Sequence, residues 1–186
     1  MVPISSLWLP IVLSSVIVFI ASSIIHMVLG YHAKDFQKVP DEDKFMDVMR
    51  GLNIPNGEYI VPWAGTAKNM KSPEVQEKLK KGPRMMMSMW GGGEMGMGKQ
   101  LGLWFLYLIV VGIFAAYVAG RALGPGATYL QVFRFAGFTS FCCYAVAHWQ
   151  TTIWYKRGGG WTVRQTVDGL IYGLLTAGVF GWLWPR

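Results

Sequence analysis

His26, His148 and Asp168 carry the chemistry that this sequence offers, because each is an ionisable side chain set inside a long apolar segment. An imidazole can ligate haem iron or the magnesium of a chlorophyll-type pigment, and a carboxylate can fix its tautomer. The same groups can relay a proton or hold the polar end of a substrate. The structural alternative is an interhelical hydrogen-bond cluster, His148 to Asp168 for example, that sets helix register. Each residue belongs to a polar stripe at helical spacing. Ser15, Ser22 and His26 share one face, Ser140, Tyr144, His148 and Thr151 a second, and Gln165, Asp168, Tyr172 and Thr176 a third. Polar groups are costly against lipid, so these faces are expected to point inward. The candidate polar cluster or cofactor site is therefore His26, His148, Asp168, Tyr144 and Gln165.

Four apolar segments position these residues: 7–29, 101–120, 129–155 and 163–184. Each is long enough to cross the hydrocarbon core as a helix. The expected fold is an all-α integral membrane protein, a four-transmembrane-helix bundle in one polytopic domain over residues 1–186. A long polar connection over residues 31–100 joins helices 1 and 2. The first segment is read as a retained span, since MVPISS has no Lys or Arg and the apolar run exceeds a signal-peptide core. Small residues mark the expected helix contacts: Gly112 and Ala116 in the second span, Gly137 in the third, Gly169 and Gly173 in the fourth.

Composition agrees with this class. Of 186 residues, 53% are hydrophobic and 15% charged, with a mean hydropathy of +0.33. The net charge of +7 raises the question of nucleic acid. Yet 11 of the 17 Lys and Arg lie in residues 31–100, interspersed with 9 acids, and form no basic face. Nucleic acid is excluded as the expected partner. Lys156, Arg157 and Arg164 add to the same side, so both termini are expected in the periplasm and the connection in the cytoplasm. Trp8, Trp104, Trp154, Trp161, Trp182 and Trp184 fall near the expected interfaces as an aromatic belt, and Arg134 is expected to snorkel.

Within the connection, acids at Asp41, Glu42 and Asp43 open a short amphipathic helix carrying Phe45, Met46, Met49 and Leu52 on one side. Residues 53–63, with Pro55, Asn56-Gly57 and Pro62, read as turn and extended chain. Ser72-Pro73 caps a helix that Gly82-Pro83 ends. Residues 84–98 hold six methionines among glycines. Thioethers suit Cu(I), but without His or Cys the segment reads as an adaptable apolar stretch at the membrane interface. No metal site is expected. His32 reads as a solvated residue at the start of the connection, and adjacent Cys142 and Cys143 as free thiols. No phosphate loop, nucleophile elbow or HExxH pattern is present.

The stretches LWLPIVLSSVIVFIASSIIHM and MGKQLGLWFLYLIVVGIFAAYVAGRAL resemble those of a group of small bacterial inner-membrane proteins. The resemblance implies a place in that membrane. It brings no activity and no site residues.

Three functions are compatible with these features. The first is a non-catalytic accessory subunit packed against a larger membrane complex, respiratory or photosynthetic in type, or against further copies of itself. The second is a small redox protein binding haem or pigment through His26 and His148. The third is a transporter or membrane enzyme built around His148 and Asp168.

Overall fold

The computed structural model describes residues 1–93 and 96–186, so Glu94 and Met95 of the methionine-rich segment lie outside the described residues. In chain order the elements are α1 (Trp8–Ser23), α2 (Glu42–Gly51), β1 (Gly57–Val61), α3 (Pro73–Lys81), β2 (Met85–Met89), α4 (Gly98–Ala122), α5 (Tyr129–Phe141), α6 (Ala147–Tyr155) and α7 (Gly159–Trp182). Contacts divide the chain into two compact units, Met1–Gln37 with Gly96–Arg186, and Lys38–Met95.

The first unit is helical. Three helices are long and apolar enough to cross a membrane: Ile4–Val28, Gly98–Ala122 and Tyr129–Tyr155. The first contains α1, extended by a π-helical turn at Ile24–Val28. The last joins α5 to α6 through another π-helical turn at Cys142–Val146, where both cysteines are free. The fourth expected span, α7, has the length for crossing but not the apolar character of those three. Its glycines and its polar face dilute it. It packs against both α1 and α5, and a helix shielded in this way needs less apolar surface.

Two apolar clusters hold the unit together. Leu7, Ile11, Ala115, Ala119, Ala136 and Phe180 form one. Val18, Ile25, Leu108, Val111, Tyr144 and Tyr172 form the other, next to the candidate residues. Small residues set how closely the helices approach. A Cβ on Gly173 would meet the Gly137 carbonyl oxygen at 3.2 Å, and one on Gly137 would meet the Ala177 Cβ at 2.8 Å. A Cβ on Gly169 would lie 2.8 Å from that of Ala145, and one on Gly112 would lie 3.1 Å from Ile11 Cγ2. Ala116 is fully buried. At the end opposite the candidate residues, Val2 N–H donates to the Gly120 carbonyl at 2.8 Å and Trp184 Nε1–H to that of Gly124 at 3.0 Å. Trp184 is thus tied inward rather than placed in a surface belt.

The second unit has little core of its own, with Val75 its one buried side chain among the described residues. α2 follows the acidic start, and Ser72 Oγ caps α3 by accepting from Val75 N–H at 3.4 Å. The methionines of β2 form a strand, pairing antiparallel with β1 in the register Gly57↔Met89 to Val61↔Met85. The sequence reads as an adaptable apolar stretch at the membrane interface, with no strand expected. Alternation cannot be read in a run of identical side chains, so the pairing comes from the partner strand.

Candidate functional site

The site begins where α1 ends. The π-helical turn widens the helix at His26, and Gly30 then adopts φ +62°, a left-handed conformation that glycine enters without steric cost. The chain reverses there and continues as a 3-10 turn over Tyr31–Asp35. The reversal lays the His32 ring over that of His26, with centroids 4.3 Å apart. Tyr31 stacks beside His32 at 4.3 Å.

Asp168 arrives from α7. Gly169 lets this part of α7 press against Tyr144 and Ala145 in the second π-helical turn. The Asp168 side chain is 3% exposed there. Its Oδ2 lies 2.7 Å from His32 Nε2 and 4.0 Å from His26 Nε2. His32 Nδ1 in turn lies 2.6 Å from Asp35 Oδ2, and Arg164 Nε–H donates to Asp35 Oδ1 at 2.6 Å. A chain of hydrogen bonds thus runs Arg164–Asp35–His32–Asp168, with Tyr172 Oη 3.5 Å from His26 Nε2 beside it.

Charge balance explains how such a chain tolerates burial. Each contact between a ring nitrogen and a carboxylate needs one hydrogen, so two hydrogens are shared among His32, Asp35 and Asp168. Those three groups then sum to one negative charge, wherever the protons rest, and Arg164 cancels it. Burial alone would push the Asp35 carboxyl up, but hydrogen bonds from His32 and Arg164 outweigh it and hold the carboxyl below its ordinary value of 3.8. Two buried polar atoms are left over among the described residues. Asp168 Oδ1 is buried with no hydrogen-bond partner among the described residues, as is Tyr31 Oη.

Asp168 and His26 line a cavity of about 540 Å³. Trp104, Tyr107, Tyr144 and Tyr172 supply much of its wall, and Gln100, His148 and Gln165 add polar groups. Trp104 donates from Nε1 to Ser22 Oγ at 3.0 Å and so faces inward rather than out to an interface. Two of these wall residues, Tyr172 and Tyr144, pack edge-on against each other at 5.5 Å.

Of the residues singled out in the sequence, His26 and Asp168 come within contact distance, while Tyr144, His148 and Gln165 line the same cavity. The pairing of His148 with Asp168 is not formed. His148 packs edge-on against Trp161 at 5.2 Å, and Asp168 takes His32 instead. His32 is therefore no solvated loop residue, as its side chain is 11% exposed and bonded through both nitrogens. Its neighbours Asp35 and Arg164 were also missed as site residues. The signal available was His32-x-x-Asp35, a spacing that places two side chains on one side of a helical turn, directly after a glycine. No protein-family model, curated protein or solved structure matches this chain.

Proposed function

We propose that this is a multi-pass protein of the bacterial inner membrane that binds and acts on a small amphiphilic molecule, by transport or by turnover, at Asp168. The observation that carries the reading is the unpartnered Oδ1 of a buried carboxylate bordering an aromatic-walled cavity. An unpaired buried polar atom costs stability, and such costs persist where a ligand or a reaction uses the atom. The walls suit an apolar body and the Asp168–His26 end a polar head. With four spans, the distribution of basic residues supports both termini in the periplasm and Asp168 toward the cytoplasmic side. The haem or pigment reading of His26 and His148 draws less support. His26 Nε2 is turned toward Asp168 and Tyr172, and His148 is packed on Trp161.

The test is complementation. In cells lacking the protein, the metabolite or transport defect should be restored by wild type and not by Asp168→Asn at equal membrane abundance. Full restoration by Asp168→Asn would overturn the assignment.

A second reading, an accessory subunit of a larger complex, is favoured by the second unit. Its two-stranded sheet exposes Ile60 and Met86, and the residues flanking the strands expose Trp63 and Trp90, apolar side chains that a protein partner would cover. Extraction in mild detergent followed by sizing decides it. Co-migration with other subunits, lost in a Trp63→Ser/Trp90→Ser variant, supports the reading, and migration alone ends it.

A further inference from the structure

We infer that His26, His32 and Asp168 form a binding site for one divalent transition-metal ion, with an open coordination position facing the cavity. One ligand atom from each of the three lies within 4.8 Å of the others. This rests on the reading of the Asp168 cavity as the working site, and names what the site holds.

Three features point beyond a plain hydrogen-bond cluster. Asp35, anchored by Arg164, accepts from His32 Nδ1, and this fixes the tautomer that leaves the Nε2 lone pair facing Asp168. A carboxylate behind an imidazole, with the other nitrogen free to coordinate, is the arrangement that orients metal-bound histidines. Two lone pairs 2.7 Å apart need a positive centre between them, and a metal ion can replace the proton. An ion with bonds of about 2.0–2.2 Å holds neighbouring donors roughly 2.9–3.4 Å apart. The observed separations of 2.7 and 4.0 Å lie on either side of that range, so an ion would spread His32 and Asp168 slightly and draw His26 inward.

The second feature is the Asp168 carboxylate itself. Its side chain is 3% exposed and its Oδ1 has no partner among the described residues, so a second donor atom stands ready beside Oδ2. The third is His26, whose Nε2 has Tyr172 Oη at 3.5 Å and Asp168 Oδ2 at 4.0 Å. Its side chain is 42% exposed, so the ring can turn to close the shell without displacing core residues.

Two imidazoles and one carboxylate suit Zn²⁺ or Fe²⁺, and with three protein ligands either ion keeps a position for water or substrate. His26 and Asp168 both border the cavity while His32 does not, so that position opens toward the cavity. An ion there would meet the polar head of the amphiphile. The site differs from one built on His148, which lines the cavity without joining the three ligands.

The experiment uses the full-length protein in mild detergent, stripped with a chelator and titrated with Zn²⁺ against a chromophoric competitor, then with Co²⁺ as a spectroscopic probe. One ion per chain is expected, with a Co²⁺ spectrum intense enough to report four- or five-coordination. Affinity should fall at least tenfold in His26→Asn, His32→Gln and Asp168→Ala, and about 10–100-fold in Asp35→Asn through loss of orientation. His148→Gln should bind as wild type does. His26→Asn keeps the test decisive if the buried variants fail to fold, because its exposed ring supports no core. Absence of stoichiometric binding, or binding unchanged in His26→Asn, would overturn the site. Absence of binding while Asp168→Asn still fails complementation removes the ion alone. Stoichiometric binding with full complementation by Asp168→Asn removes the working-site reading and leaves the ion.

Discussion

His32 Nε2 and Asp168 Oδ2 lie 2.7 Å apart although 136 positions separate the two residues. The contact ties the turn after α1 to α7 and completes a buried chain of charges that sums to zero. Removing one member should therefore cost more than removing one hydrogen bond.

Asp168→Ala is expected to leave Arg164, Asp35 and His32 with an uncompensated charge and to destabilise the protein by about 3–5 kcal/mol. Asp168→Asn leaves the same uncompensated charge but keeps an acceptor for His32, so it should cost about 1–2 kcal/mol less than Asp168→Ala. Tryptophan fluorescence during thermal unfolding in detergent reads both. Small losses for both variants would contradict the charge-balance account, and equal losses would show that the acceptor to His32 adds nothing beyond the charge.

Arg164 acts on Asp35 from a partly exposed position, its side chain being 28% exposed against 3% for Asp35. Solvent screening reduces what the pair contributes. Arg164→Gln is expected to cost about 1–2 kcal/mol, and a double-mutant cycle with Asp35→Asn should return a coupling of about 1 kcal/mol. A coupling of zero would mean that the two side chains do not depend on one another.

The helix contacts make a sharper steric prediction. Gly169→Ala and Gly173→Ala put a methyl group within 2.8 and 3.2 Å of their neighbours, and each should destabilise by about 1–3 kcal/mol. At Gly178 the nearest atom is Tyr129 Oη at 3.6 Å, an ordinary contact. Gly178→Ala should be close to neutral, since alanine also favours the helix. Similar melting temperatures for all three would show that α7 does not approach α5 and the π-helical turn after it this closely.

Water should reach the cavity but not the outer face of α7. With Cys142 and Cys143 replaced by alanine, Gln165→Cys should react in intact membranes with a charged maleimide. Leu174→Cys, on an exposed apolar face, should not react. Reaction of both would argue that α7 lies outside the bilayer, and protection of both that the cavity is closed.

Much of this was legible in the residues. Three apolar runs long enough to cross a membrane, the Ser72 cap of α3 and the acidic start of α2 depend on local composition and spacing, which the sequence carries directly. His26 and Asp168 were visible as charges out of place in apolar surroundings. α7 was harder to read. Its polar face and glycines lower its apolar character because neighbouring helices, rather than lipid, cover much of it.

What the sequence determined alone was therefore the helical membrane class and the cost of placing His26 and Asp168 inside it. Only the tertiary structure decided which partner meets that cost. The local pattern placed His32 in a solvated connection. The reversal at Gly30 and the approach of α7 at Gly169 instead bring it, with Asp35 and Arg164, against Asp168. A buried carboxylate takes the charge that packing delivers to it, and packing between segments more than a hundred residues apart leaves no periodicity in either of them.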